Sequence, residues 1–175
     1  MTISKNMNAL MNYGGVLGVA LVVVALVVYI LGLEQDGVVA NVFTYTIIIG
    51  GLFFFMKKYR DEQSEGYVSF GAALGSGSLM MLFAGIIGTF YNWLSLSFLY
   101  PEMVEKVKEK SYEQYISMGM SEEAAIDALN QAIPYLTPGW MAFFGFFGYI
   151  IMGVIFSLII SFFIKRENPN PFQEV

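Results

Sequence analysis

The 175-residue chain contains neither cysteine nor histidine. Without cysteine it can form no disulfide, no thiolate metal site and no thiol nucleophile. Without histidine it has no imidazole base and no histidine-ligated haem or zinc. These two absences exclude zinc fingers, cysteine hydrolases and histidine-dependent catalysis. No other residue pattern points to a prosthetic group, so we predict a protein that binds no cofactor and no metal ion.

Charged residues are also scarce, at 13% of the chain, and 14 acidic residues stand against nine basic ones. The net charge of −5 argues against a nucleic-acid partner, because such a partner needs a basic surface. Hydrophobic residues make up 57% of the chain and fall into four long runs, as is typical of membrane-spanning helices. We predict one membrane domain over residues 1–175, with spans at about 12–33, 39–56, 68–98 and 140–164.

The predicted fold is an all-α bundle of four transmembrane helices in a lipid bilayer. The first run is longer than the 7–15-residue core of a signal peptide and ends without a small-residue cleavage site, so we expect it to be retained. The third run is about ten residues longer than a hydrocarbon core of about 30 Å requires. It therefore predicts a helix that is tilted or that extends beyond the bilayer.

The positions of the basic residues predict the orientation of the four spans. Six of the nine fall on one side of the membrane in this topology: Lys5, Lys57, Lys58, Arg60, Lys165 and Arg166. The other three lie in the connection between the third and fourth spans, which also carries half of the acidic residues. Because basic residues favour the inner side, both termini are predicted to be cytoplasmic and the acidic connection to lie outside.

Two similar glycine-rich stretches open the first and third spans. NYGGVLG covers residues 12–18, and SFGAALG covers residues 69–75. Each combines a polar residue, an aromatic residue and two glycines four residues apart at the same positions. The match suggests two helical hairpins of the same orientation, related as repeats by an axis along the membrane normal. A chance match between two apolar spans is the alternative.

We predict that these glycines pack helices together and do not bind phosphate. A Walker loop needs a lysine directly after its glycines, and neither stretch has one. Glycines four residues apart lie on one helix face and let two backbones approach closely in a bilayer. The fourth span has a similar row of small residues. The predicted helix-packing positions are Gly14, Gly18, Gly71, Gly75, Gly153, Ser157 and Ser161.

Residues 99–138 form the only sizeable polar segment and are predicted to be an amphipathic helical hairpin outside the cytoplasm. Pro101 suits the first turn of one helix, and Gly119 suits its C-terminus. Ser121 suits the N-cap of a second helix, which Pro134 would end. A row of glutamates on the first helix is predicted to be solvated, because a row along one helix does not enclose a cation. The apolar sides are compatible with contact to the bundle, to lipid or to a partner.

Several short stretches, in order along the chain, resemble one family of bacterial membrane proteins. They are KKYRDE at 57–62, GY followed by SFG within 66–71, Pro101-Glu102, GMSEE at 119–123, TPG at 137–139 and the basic pair at 165–166. The chain resembles the Bacteroidota membrane proteins known as domain of unknown function 4199. Tyr100 stands where that family commonly has an acidic residue. The resemblance implies a small four-span inner-membrane protein without an established activity or transferable catalytic residues.

The sequence specifies no chemistry, and no span centre contains Asp, Glu, Lys or Arg, which disfavours ion-coupled transport. We predict a non-enzymatic accessory or scaffold subunit that contacts other membrane subunits or copies of itself. The alternative is a small oligomeric transporter, channel or lipid-handling protein. Its pathway would be lined by neutral polar side chains: Asn12, Asn41, Thr44, Thr46, Ser76, Ser78, Thr89 and Asn92. An interfacial enzyme that uses surface carboxylates is the weakest of the three hypotheses.

Overall fold

The computed structural model describes residues 2–33 and 37–167, with side chains from residue 6 onward, so the side chain of Lys5 lies outside the described part. Within these ranges the protein is all-helical and contains no β-strand. The α-helices are α1 (Thr2–Ile30), α2 (Val38–Gln63), α3 (Phe70–Leu94), α4 (Glu102–Ser117), α5 (Glu122–Ala132) and α6 (Pro138–Ile164). A π-helical turn, Ser95–Leu99, extends α3, and a 3₁₀ turn, Ile133–Tyr135, follows α5.

Among the described residues, four helices are long and apolar enough to cross a membrane, in agreement with the four predicted spans. The candidate spans are Asn6–Ile30, Val38–Gln63, Phe70–Leu99 and Pro138–Ile164. α1 begins ten residues before the predicted first span but ends at Ile30, three residues short of the predicted limit. α2 extends past the predicted second span, because that limit marks where the apolar sequence ends. Lysine, arginine, glutamate and glutamine are good helix formers, so α2 continues for two turns beyond its apolar part.

The chain forms two compact units. The first unit joins the chain up to Gly88 with the chain from Gly148 onward. It contains α1, α2, most of α3 and most of α6. The second unit, Thr89–Phe147, contains the end of α3, the π turn, α4, α5 and the start of α6. The polar segment at 99–138 therefore lies within the second unit.

α3 is the most buried of the four candidate spans. In its most apolar part 39% of the residues are buried, compared with 17% in α2. Met80 and Met81 of α3 are 0% exposed and belong to one hydrophobic core with Leu17 of α1, Leu52 of α2 and Ile160 of α6. The large exposed apolar surface of the other helices suits contact with lipid.

In the second unit, α4 and α5 pack against each other, and Ala125 of α5 is fully buried. Gly119 ends the turn after α4 with a φ of +88°, a backbone conformation that favours glycine. The Ser121 side chain caps α5, since its Oγ accepts a hydrogen bond of 3.3 Å from the backbone N–H of Ala124. Pro138 then occupies the first position of α6, where its missing N–H costs no hydrogen bond.

Candidate helix-packing site

Gly14 and Gly18 of α1 lie directly against α3. A Cβ atom at Gly14 would collide with the backbone oxygen of Met80 and come within 2.8 Å of the Phe83 Cβ. A Cβ at Gly18 would lie 3.0 Å from both the Cα and the backbone oxygen of Ala84. Four residues further along α1, the contacted residue also lies four residues further along α3, so α1 and α3 run parallel. At these two positions the absence of a side chain lets the backbones approach.

The α3–α6 contact uses small residues from both helices. A Cβ at Gly153 of α6 would lie 2.5 Å from the Met81 Cβ. A Cβ at Gly77 of α3 would collide with the Oγ of Ser157. Met81 of α3 meets Gly153 of α6, and the earlier Gly77 meets the later Ser157, so these helices run antiparallel. Each helix therefore supplies a glycine that receives a side chain of the other.

Ser157 and Ser161 are both 0% exposed, but their hydroxyls differ. The Oγ of Ser161 donates a hydrogen bond of 2.6 Å to the backbone oxygen of Ser157. The Oγ of Ser157 has no hydrogen-bond partner among the described residues. Ser161 thus satisfies its hydroxyl within its own helix, as serine in a membrane helix commonly does, whereas the Ser157 hydroxyl packs against the Gly77 backbone.

Gly71 and Gly75, two of the predicted packing positions, contact no other helix within the described part of the chain, so their helix contact stays a prediction. A Cβ at either glycine would meet no other element within 4 Å, and both residues are exposed. They lie nine residues before the α3 residues that Gly14 and Gly18 contact, which is about 13 Å along the helix. The two similar glycine patterns therefore occupy different environments. The proposed relation between the two hairpins stays a prediction.

Three other glycines make contacts that the sequence interpretation missed. A Cβ at Gly51 of α2 would lie 2.6 Å from a Leu17 methyl group, and one at Gly88 of α3 would lie 2.6 Å from the Tyr149 hydroxyl. Gly77 is the third. The sequence contains a signal for the two contacts in α3, because an alanine lies four residues before Gly77 and another lies four residues before Gly88. Small residues at this spacing form a packing face as glycine pairs do.

Hydrogen bonds join three helix ends at one end of the first unit. Val68, just before α3, exchanges two backbone hydrogen bonds with Arg166, just after α6, at 2.8 and 2.9 Å. The guanidinium of Arg60 in α2 donates a hydrogen bond of 3.2 Å to the backbone oxygen of Ile164. This bond satisfies one of the carbonyl groups that every helix leaves unpaired at its C-terminus. The three helices are thus fixed to one another outside their apolar parts.

The same end of the unit carries a small polar network between α1 and α2. The hydroxyl of Tyr13 donates a hydrogen bond of 3.0 Å to Glu62 Oε2. The ammonium of Lys58 lies 3.8 Å from the other oxygen of Glu62 and 5.6 Å from the centre of the Tyr13 ring. Ion pairs as exposed as this one contribute little to stability. The network therefore fixes the register of α1 on α2 more than it strengthens their contact.

An open groove of about 390 Å³ follows the exposed face of α2, lined by Phe54, Lys57, Lys58, Asp61 and Glu62. The apolar part of α2 ends at Met56, so the charged part of the groove lies beyond the predicted membrane span. The Arg60 guanidinium donates a hydrogen bond of 2.7 Å to Asp61 Oδ1. The groove therefore presents charges of both signs, which suits contact with a polar surface better than proton transfer.

A model of one known family covers most of the chain. Residues 12–166 match the family model described as protein of unknown function, DUF4199. The chain belongs to the DUF4199 family. The DUF4199 segment begins two residues before Gly14 and ends at Arg166, so it includes both the glycine contacts and the hydrogen-bonded helix ends. No curated protein and no solved structure matches the chain.

The DUF4199 segment contains no group of three or more His, Cys, Asp or Glu side chains placed to hold a metal ion, among the residues that the structure describes. The predicted glutamate row on α4 is exposed. One of its members, Glu105, forms an ion pair of 2.7 Å with Lys108 of the next turn. Such a pair is typical of a solvated helix face.

Proposed function

We propose that this DUF4199 protein is a non-enzymatic accessory or scaffold subunit of the bacterial inner membrane, with both termini in the cytoplasm. The dense packing of the first unit around α3 is the observation that carries the proposal. Met80 and Met81 are fully buried, and a single added methyl group at Gly14, Gly77 or Gly153 would have no room. A solute pathway through this core would need space that side chains already fill.

The surface of the first unit supports a role in membrane contacts. The most apolar part of α2 is the least buried of the candidate spans, and its exposed residues include Val42 at 59% and Phe53 at 44%. A closely packed unit with such faces offers neighbouring subunits, or further copies of the chain, an apolar surface within the bilayer. The charged groove at the end of α2 offers a polar contact next to it.

Site-specific photocrosslinking in native membranes tests this proposal. A photoreactive amino acid at Phe53 samples the exposed face of α2, and one at the adjacent Leu52, which is 0% exposed, is the matched buried control. We expect the Phe53 position to give a discrete protein adduct of one mass, which mass spectrometry would identify as a different subunit or as a second copy. The Leu52 position should give only crosslinks within the chain.

Lipid adducts alone at Phe53, together with a chain that migrates as a monomer after mild extraction, would contradict the scaffold proposal. An adduct that appears equally at Leu52 would show that the chain had unfolded before crosslinking. Comparing the two adjacent positions thus separates a real contact from damage to the fold.

A small transporter, channel or lipid-handling protein is the second candidate function. It is favoured by Thr89 and Asn92, two of the predicted pathway residues, whose side-chain oxygens are buried without a partner among the described residues. Proteoliposomes that hold the purified protein test this candidate. Uptake of small neutral solutes or movement of labelled lipid above protein-free vesicles would support it, and rates equal to those of protein-free vesicles would reject it.

A further inference from the structure

Four polar side chains in the second unit have buried atoms without a hydrogen-bond partner among the described residues. They are Thr89 Oγ1, Tyr91 OH, Asn92 Oδ1 and Ser95 Oγ. All four lie within seven residues, and Ser95 is 0% exposed. Buried polar atoms in folded proteins nearly always have a partner, which is often an ordered water molecule. Four exceptions within seven residues of the sequence call for an explanation.

The four side chains lie on one side of the chain at the end of α3. On a helical wheel they fall within an arc of about 160°. The cluster ends where the α-helix is followed by a π-helical turn, which runs from Ser95 to Leu99. The wider turn interrupts the regular hydrogen-bond ladder beside the cluster, and such turns are frequent at functional sites.

The hydroxyl groups of Thr89 and Ser95 also lack the hydrogen bond that serine and threonine often make within their own helix. A serine or threonine in a helix can donate to a backbone oxygen three or four residues earlier. Thr46, Ser76 and Ser161 do so, with bonds of 2.7, 2.8 and 2.6 Å. Thr89 and Ser95 have no such bond. Their hydroxyls are therefore available to a partner outside their own helix.

We propose that Thr89, Tyr91, Asn92 and Ser95 form a binding site for ordered water molecules inside the second unit. The three hydroxyl groups can each donate and accept a hydrogen bond, and the amide oxygen accepts. This mixture suits water, which also does both. The set contains no charged group, so it is matched to neutral molecules and not to ions. A site of this kind is compatible with a scaffold and with a transporter alike.

Radiolytic hydroxyl-radical labelling of the full chain in lipid nanodiscs tests the site. X-rays convert bound water into radicals in place, and these oxidise the side chain beside the water. Tyr135, which is 55% exposed, supplies the fast reference, and Tyr149, which packs against the hydrophobic core, supplies the slow one. We expect Tyr91 to be oxidised at a rate close to that of Tyr135, although its hydroxyl is buried.

Variants that remove hydroxyl groups separate bound water from bulk solvent. Thr89→Val and Ser95→Ala together keep the packing volume but remove two of the four partners, so the rate at Tyr91 should fall toward that of Tyr149. Ser95→Ala alone should lower the rate in the same direction. Ser157→Ala is the matched control, because it removes another buried, unpartnered hydroxyl from the first unit, and it should leave the rate unchanged.

Two results would overturn the water site. If Tyr91 in the unmodified protein is oxidised as slowly as Tyr149, the cluster is dry. If Tyr91 is oxidised quickly but the Thr89→Val/Ser95→Ala variant labels at the same rate, the radicals arrive from bulk solvent and the four side chains hold no water.

Discussion

Substituting Gly14 by alanine should weaken the contact between α1 and α3, and the same substitution at Gly71 should not. The new methyl group at Gly14 would collide with the backbone oxygen of Met80 and lie 2.8 Å from the Phe83 Cβ. The colliding atom belongs to a helix backbone, so it cannot move aside as the end of a flexible side chain could. The two helices must separate by roughly half an ångström or more to restore ordinary contact distances.

The size of the effect follows from two opposing contributions. Forcing an extra carbon into a close-packed contact costs about 1–3 kcal/mol. Replacing glycine by alanine within a helix contributes about 0.5–1 kcal/mol in the opposite direction. We therefore expect Gly14→Ala to lower the free energy of unfolding by up to about 2.5 kcal/mol. Gly71→Ala places its methyl group in open space and should leave stability unchanged or raise it by up to about 1 kcal/mol.

Unfolding in mixed micelles of increasing SDS content, followed by circular dichroism, measures both variants against the unmodified protein. The two substitutions add the same atom to the same residue type, so their difference reports the local environment alone. Equal stability of Gly14→Ala and Gly71→Ala would refute the close approach of α1 and α3 at Gly14. A loss at Gly71 as large as that at Gly14 would refute the open environment at the start of α3.

Three further predictions concern other parts of the molecule. Ser157→Ala should raise the free energy of unfolding by about 1 kcal/mol in the same SDS titration, because it removes a buried hydroxyl without a partner; a lower stability would show that the hydroxyl is hydrogen-bonded. Arg60→Gln should speed hydrogen exchange at the end of α6, because its bond to Ile164 is lost, and unchanged exchange there would show that this bond does not hold the helix end. Single cysteines at Ser64 and Ser111 should differ in intact cells, with an impermeant maleimide labelling only the second; the reverse pattern would invert the orientation.

The membrane helices could be predicted from the sequence because length and apolar composition are sufficient to identify them. The helix ends in the second unit could be predicted as well, since Gly119, Ser121 and Pro134 act through local backbone chemistry. The contacts between helices depend on residues that are far apart in the sequence. Gly14 and Gly71 have similar neighbours in sequence, but only Gly14 lies level with a facing helix. The register between helices decides this, and a local pattern does not contain it.

The buried cluster at Thr89, Asn92 and Ser95 was predictable only as a set of polar residues. The sequence places Thr89 and Asn92 on one helix face, and the interpretation as pathway residues rested on polarity alone. Burial of their oxygens depends on how the second unit packs, and the π turn that begins at Ser95 has no recognised sequence signal here. Tyr91 and Ser95 were therefore missed altogether.

The contact between Met81 and Gly153 has a consequence for how the protein is made. These residues are 72 positions apart, so α6 is synthesised well after α3. At about 5–20 residues per second, the ribosome needs roughly 4–14 s to cover that distance. For those seconds the Gly77 face of α3 stays uncovered on its α6 side. Lipid, α1 or the insertion machinery must shield this face until α6 arrives.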